Sequence, residues 1–222
     1  GNAAAKNGAD FNQAHAPVGT CGLGNNIPKL CELQLRAIKA CGTLGVPWMV
    51  FHAIYRNGPE FFDVNVEHFR SLLDTCHKYN VGMAIENIWV VNQDCPIWRT
   101  EELIRLVDMI DDPLVGICWD TGHGNMTGNS HNWRARCLPE LKKYGNQYNE
   151  ITKLGKRLKA LHIDDNNGMD DDHIAPFDGT INWDDVMRAL RDIGKEHRFT
   201  FEAHNALRRV PESLVDDRIR YL

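Results

Sequence analysis

Six residues of the kinds that bind cations or move protons close six short apolar runs: His15, His52, Glu86, Asp120, His162 and Glu202. The clearest run is Val115-Gly-Ile-Cys-Trp-Asp120, which follows Pro113 and stops on an acid, with His123 three residues on. A carboxylate at the mouth of a buried strand is costly unless it is paired or bound to a cation. Taken alone, Asp120-Thr-Gly is an ordinary turn with an Asx cap, and His123 an ordinary loop histidine. Six such closures in one chain argue for a shared purpose. Glu86, Asp120, His162 and Glu202 come from four successive runs and form a mixed oxygen and nitrogen donor set. That set suits one divalent ion in roughly octahedral geometry, Mn²⁺ first, with Mg²⁺, Co²⁺ and Zn²⁺ open. Carboxylates brought this close repel one another and hold protons unless a cation lies among them.

The elements that must deliver these residues alternate strand and helix. Asp10 to His15 reads as a short strand, followed by a Gly-rich loop through Asn26. Pro28 to Cys41 is predicted helical, with Leu30, Leu33, Ala37, Ile38 and Cys41 on one stripe. Val46 to His52 is a strand, Val64 to Tyr79 a helix, and Val81 to Glu86 a strand. Thr100 is expected to cap a helix with Glu101 and Glu102 in its first turn. Residues 124–150 break the rhythm and are too long for a simple connection, so a lid or subunit contact is expected before a helix of roughly 139–157. Lys159 to Ile163 is a strand and 164–179 a very acidic loop. Asn182 is read as the cap of the next helix, Arg198 to Glu202 as a last strand, and 211–222 as the start of a final helix. Six repeats of strand and helix mean a parallel sheet covered by helices. If it closes into a barrel, all six polar strand ends converge on one mouth.

Composition narrows the classes. The chain has 222 residues, 43% hydrophobic and 25% charged, enough for one good-sized core. No apolar run approaches the ~18 residues a membrane helix needs, so no membrane partner is expected. The N-terminal stretch lacks a signal-peptide apolar region. Seven scattered cysteines without a C-x-x-C pair indicate reduced thiols and a cytoplasmic address. The net charge of −5 disfavours nucleic acid, whose binders carry a basic excess. Among single residues, His68, His77, His131 and His197 read as surface histidines and Trp119 and Cys118 as core. His204 reads as solvated loop, and Arg208-Arg209 as an exposed pair or a reach to a substrate hydroxyl.

Gly116-x-Cys-x-Asp-Thr-Gly-His123, Ile85-Glu-Asn87, Leu161-His-Ile-x-Asp165 and Asp171-x-His173…Gly179-x-Ile-x-Trp183 resemble the xylose isomerase-like barrel superfamily. The resemblance runs from Gln13 to Glu202. The group holds sugar and sugar phosphate isomerases and epimerases, and the endonuclease IV-type enzymes of AP endonuclease family 2. It implies a TIM (β/α) barrel as a single domain over 1–222. Family barrels have eight strands and six are found, so the chain is expected to lack the first β-α-β unit, with a neighbouring chain covering the gap or the segment lost. By analogy with ketose 3-epimerases, Glu86, Asp120, His162 and Glu202 would hold the metal. Glu86 and Glu202 would also act as the acid/base pair, removing and returning a proton alpha to a carbonyl through a metal-stabilised enediolate. His123, and with it His15, His52, Trp89, Asp171 and His173, would line the substrate.

The resemblance leaves three functional outcomes. The first is a metal-dependent sugar isomerase or epimerase on a small carbohydrate, as a monomer or a homo-oligomer. The second is an endonuclease IV-like zinc-dependent AP endonuclease, because all nine ligand positions of its three-zinc cluster have counterparts: His15, His52, Glu86, Asp120, His123, His162, Asp171, His173 and Glu202. Duplex binding rests on phosphate neutralisation, and Asp164, Asp165, Asp170, Asp171, Asp172 and Asp178 in the mouth loop argue against it. A phosphorylated sugar is disfavoured on the same ground, leaving a neutral sugar, inositol-type or keto-glycoside substrate. The third is a 3-keto-glycoside lyase or hydrolase using the same groups, or a non-catalytic subunit.

Overall fold

A computed structural model describes residues 6–18, 26–55, 58–89, 95–128, 143–194, 198–208 and 210–221. The elements are β1 (Gln13–His15), α1 (Ile27–Leu44), β2 (Trp48–Phe51), α2 (Phe61–Tyr79), β3 (Gly82–Glu86), α3 (Thr100–Ile110) and β4 (Val115–Asp120). They continue with α4 (Thr121–Gly128), α5 (Gln147–Leu154), β5 (Leu158–Ile163), α6 (Trp183–Asp192), β6 (Thr200–Phe201) and α7 (Val215–Tyr221). The strands form one sheet in the order β1 to β6, every pair parallel. Each neighbour is therefore reached through a crossover, and the helices pack on the outer face.

Strand period sets what faces inward. Val50, Ala84, Cys118 and Ala160 form a small buried cluster inside the sheet. Two residues further along each strand stand His52, Glu86, Asp120 and His162, on the same face because side chains alternate. Small residues in the lower layer leave the polar layer above it room to converge. Below them, Gly82 leaves space for the Trp48 indole, which any Cβ there would strike. The outer face of the strands joins the main core, with Met49, Phe51, Met83, Ile85, Ile117, Trp119, Leu161 and Ile163 packed on helix residues such as Phe69, Leu72, Leu103, Leu106 and Val186.

The barrel is nearly closed. β1 and β6 share no backbone ladder, and side chains span the seam: Asn12 Nδ2 donates to Thr200 Oγ1 at 2.9 Å, Gln13 Nε2 to Leu161 O at 3.4 Å, and Arg198 pairs with Asp10 at 2.8 Å.

Several local expectations need correction. Residues 121–128 are helical, not loop, because Asp120 Oδ1 accepts the His123 N–H at 2.6 Å and caps the turn. The helix expected over 139–157 is shorter, Gln147–Leu154, and stops at Gly155 with φ 51°. Most of the segment read as a lid, residues 129–142, lies outside the described residues, as do His131, His197 and Arg209. Thr100 does not cap α3: Arg99 occupies the cap position, and the Thr100 hydroxyl donates to the buried Glu150 carboxylate. His68 is not a surface residue but buried, its Nε2–H donating to Gln34 Oε1 at 2.8 Å. Asn182 does cap α6, accepting from Asp185 N. Trp119 is core, with its indole N–H on Gln147 Oε1.

Candidate functional site

The polar strand ends meet at the C-terminal mouth of the sheet. One atom from each of Glu86, Asp120, His162 and Glu202 lies within 4.8 Å of the other three. Glu86 is the hub. Its Oε1 faces His123 Nδ1 at 3.3 Å and His162 Nδ1 at 3.4 Å, while its Oε2 faces His15 Nε2 at 3.4 Å and His52 Nε2 at 3.1 Å. On the far side, Asp171 Oδ2 lies 3.6 Å from His123 Nε2 and 3.2 Å from His173 Nε2. Trp89 stacks at a tilt on His123, ring centres 4.6 Å apart, and His204 on His173 at 4.6 Å. All ten residues singled out from the sequence are therefore brought into one constellation.

Few of these contacts have the direction of a hydrogen bond. Glu86 Oε2, Asp120 Oδ2, His162 Nδ1, Asp164 Oδ2 and Asp171 Oδ1 are buried without any hydrogen-bond partner. His162 Nδ1 has none although Glu202 Oε2 is 2.7 Å away. Buried polar atoms are nearly always satisfied, so orphaned atoms converging from separate strands mark a place built for something else. Three carboxylates and an imidazole fit a divalent cation.

The imidazoles carry the same message. His15 Nδ1 lies 2.8 Å from Ala16 O, His123 Nδ1 2.8 Å from Asn87 O, and His173 Nδ1 3.0 Å from Glu202 O. A carbonyl only accepts, so each Nδ1 carries the proton. In the neutral ring each Nε2 then presents a lone pair, and each points at a carboxylate oxygen. Two lone pairs face each other stably only with a proton or a metal ion between them.

Burial opposes charge throughout the cluster and the charge pairs decide the outcome. Burial disfavours an ionised Glu86, but the imidazoles of His123, His15, His162 and His52 hold it well below the usual carboxylate range. Burial, with Glu86 close by, pushes Asp120 up to about 6 against the pull of His123. For His173 the cost of burial is outweighed by Asp171 and Asp164, which raise it to about 9. Burial, then Asp120, pushes Asp164 up to about 8. A cation nearby would release these carboxyl protons.

Two further participants had no role assigned from the sequence, where Asn87 stood in the Ile85-Glu-Asn87 motif and Asp164 in the acidic loop. Asn87 clasps the backbone of Asp120, accepting its N–H at 2.6 Å and donating to its O at 3.0 Å. Asp164, fully buried, accepts the Gly122 N–H at 3.0 Å and lies 3.5 Å from His173 Nδ1. Their neighbour Asp165 is consumed by the loop it sits in, accepting from Phe177 N, Ile181 N, Asn166 N and the Trp183 indole. Asp178 pairs with Arg218. The acidic loop is thus less of a negative shield than its composition suggests: of its six aspartates, Asp164 and Asp171 meet the site histidines.

Known proteins resemble the chain along its whole length. A family model described as xylose isomerase-like TIM barrel matches residues 2–222. An uncharacterized protein of Sinorhizobium fredii is 30% identical over 77% of this chain, and inosose isomerase of Bacillus subtilis 25% identical over 71%. The chain spans about half the length of these relatives, 51% and 54%. A D-tagatose 3-epimerase-like protein superposes with TM-score 0.71 at 20% identity, covering 99% of this chain and 80% of that one. The IolI protein with a bound zinc atom superposes with TM-score 0.69 at 17% identity, covering 96% and 74%. With the model matched from end to end and the six-stranded parallel barrel in place, this chain belongs to the xylose isomerase-like TIM barrel family.

Proposed function

We propose that the chain is a carbohydrate isomerase or epimerase that moves a proton alpha to a carbonyl at a divalent-cation site. The observation that carries this reading is the convergence of Glu86, Asp120, His162 and Glu202 with orphaned buried atoms among them. Support also comes from the relatives, which include an inosose isomerase and an epimerase-like protein. Held by those four residues, a divalent ion would polarise adjacent substrate oxygens and stabilise the negative charge that develops. Mn²⁺ suits three carboxylates and one imidazole, and the zinc of the IolI protein keeps Zn²⁺ open.

The chain's own residues perform the proton transfers. Glu86 is buried and held ionised by its imidazoles, whereas the Glu202 side chain is one-third exposed, 34%. One takes the proton from the substrate carbon and the other returns it on the opposite face. His15, His52, His123, Asp171 and His173 bind substrate hydroxyls, and Trp89 beside His123 floors the ring. The chain binds a neutral polyol or keto-sugar: the described groups gathered at this mouth are acids and imidazoles, which suit hydroxyl and carbonyl oxygens. No described helix is long and apolar enough to cross a membrane, and we place the protein in the cytoplasm, as a monomer or homo-oligomer.

The test is incubation with Mn²⁺ and a panel of ketoses, inositol ketones and keto-glycosides in D₂O. Deuterium beside the carbonyl supports the reading; exchange with none of them removes it.

One observation favours a second reading. The Nε2 atoms of His15, His123 and His173, each facing a carboxylate oxygen, would suit further cations flanking the first. That arrangement fits a three-zinc phosphoester hydrolase of the endonuclease IV type. Three bound zincs and cleavage of abasic DNA would establish it in place of the isomerase.

A further inference from the structure

β3 stops before β4 does. Glu86 is paired with Cys118, and the last backbone bond between the strands runs from Asn87 N to Cys118 O at 3.3 Å. β4 continues two residues to Asp120, whose N–H and C=O on this side would have no strand to meet. The Asn87 side chain supplies both partners, its Oδ1 taking the Asp120 N–H and its Nδ2 the Asp120 carbonyl. A primary amide has the donor and acceptor of a peptide on one plane, so it copies the missing step of the ladder. The Asn87 carbonyl then accepts from His123 Nδ1 at 2.8 Å. Asn87 is itself 4% exposed.

We propose that Asn87 is a positioning residue, whose side-chain amide stands in for the next peptide of β3 and sets the spacing of Glu86 and Asp120. The two carboxylates sit on neighbouring strands whose backbone pairing ends at this point, and Asn87 is the clamp between them. Through its carbonyl it also fixes which His123 nitrogen faces the mouth. No other residue type does this at the same reach: Asp loses the donor and adds charge, Ser is too short, and Gln carries an extra methylene. The inference rests on the cation reading of the site. It adds a role to a residue that binds neither cation nor substrate.

The experiment compares the 222-residue chain with Asn87→Ala and Asn87→Ser. Mn²⁺ affinity is measured by calorimetry and Co²⁺ absorption by titration, on protein stripped with chelator. Groups that orient metal ligands typically govern about 10- to 100-fold in affinity, and a loss in that range with a changed Co²⁺ spectrum is expected. Thr100→Ala, which breaks a buried side-chain bond at the start of α3, controls for general destabilisation. It should lower the melting temperature and leave both metal readouts at wild-type values. Folded Asn87 variants with wild-type affinity and spectrum would overturn the role of Asn87 alone. A wild-type chain that takes up neither ion would overturn the cation reading together with it.

Discussion

His162 Nδ1 stands 2.7 Å from Glu202 Oε2, yet the nitrogen makes no directed hydrogen bond. The two groups stand at the ends of neighbouring strands, β5 and β6, and each has an atom within 4.8 Å of Glu86 and Asp120. Candidate ligand atoms that share a target would look like this. A structural ion pair would turn toward its partner, because a misaligned bond forfeits most of its strength.

The first prediction concerns the two glutamates. Glu86→Gln and Glu202→Gln keep size and remove charge. Each should lower turnover by on the order of 10²- to 10⁴-fold and weaken Mn²⁺ binding, with circular dichroism unchanged. Substantial turnover in either variant would break the proton-swap scheme.

Metal should stabilise the fold. Ligands that bind only the native state add about 2.7 kcal/mol at one hundred times the dissociation constant. Differential scanning calorimetry with saturating Mn²⁺ should show a higher melting temperature that EDTA reverses. Asp120→Asn should abolish the shift. An identical midpoint with and without Mn²⁺ contradicts the site.

His68 makes a separate pH prediction, away from the cluster. Burial lowers its pKa to about 4, below the ~6.5 of an unfolded chain. The unfolded state therefore binds a proton that the folded state refuses. Stability is full above pH 6.5 and is lost as pH falls from there toward 4, by on the order of 2–3 kcal/mol. In urea titrations His68→Gln should flatten the slope across that window. An unchanged slope would show that His68 protonates freely in the fold.

Packing under the site gives a fourth test. A Cβ at Gly82 would overlap the Trp48 indole, which also lies under Lys159 Nζ at 5.6 Å. Gly82→Ala should cost about 1–3 kcal/mol, read from the urea midpoint. Trp48→Leu in the same chain should recover part of it. A neutral Gly82→Ala would mean that the lower layer has room to spare.

Much of this molecule could be read before folding it, for definable reasons. The candidate site residues were visible because a charged residue ending an apolar strand is expensive, and because period two puts His52, Glu86, Asp120 and His162 on one face. Trp119 and the Asn182 cap were legible for similar local reasons. The helix at 121–128 was not: Thr-Gly-His-Gly-Asn contains poor helix formers, and the Asp120 cap and the burial of all its residues but Asn125 override them. His68 resembled any polar residue on an amphipathic helix until Gln34, 34 positions away, closed over it. Asn87 figured only in the Ile85-Glu-Asn87 motif and Asp164 only as loop charge, since an amide and an acid after a strand look like a turn. Their roles exist only across strands. The acidic loop misled in the opposite direction, because composition counts Asp165 and Asp178 as charge while the fold uses them as acceptors and partners.

The most direct measurement is an anomalous difference map from crystals grown with Mn²⁺. We predict one peak, bounded by Glu86, Asp120, His162 and Glu202. No peak among those four side chains, or an ion bound only elsewhere, would contradict the account.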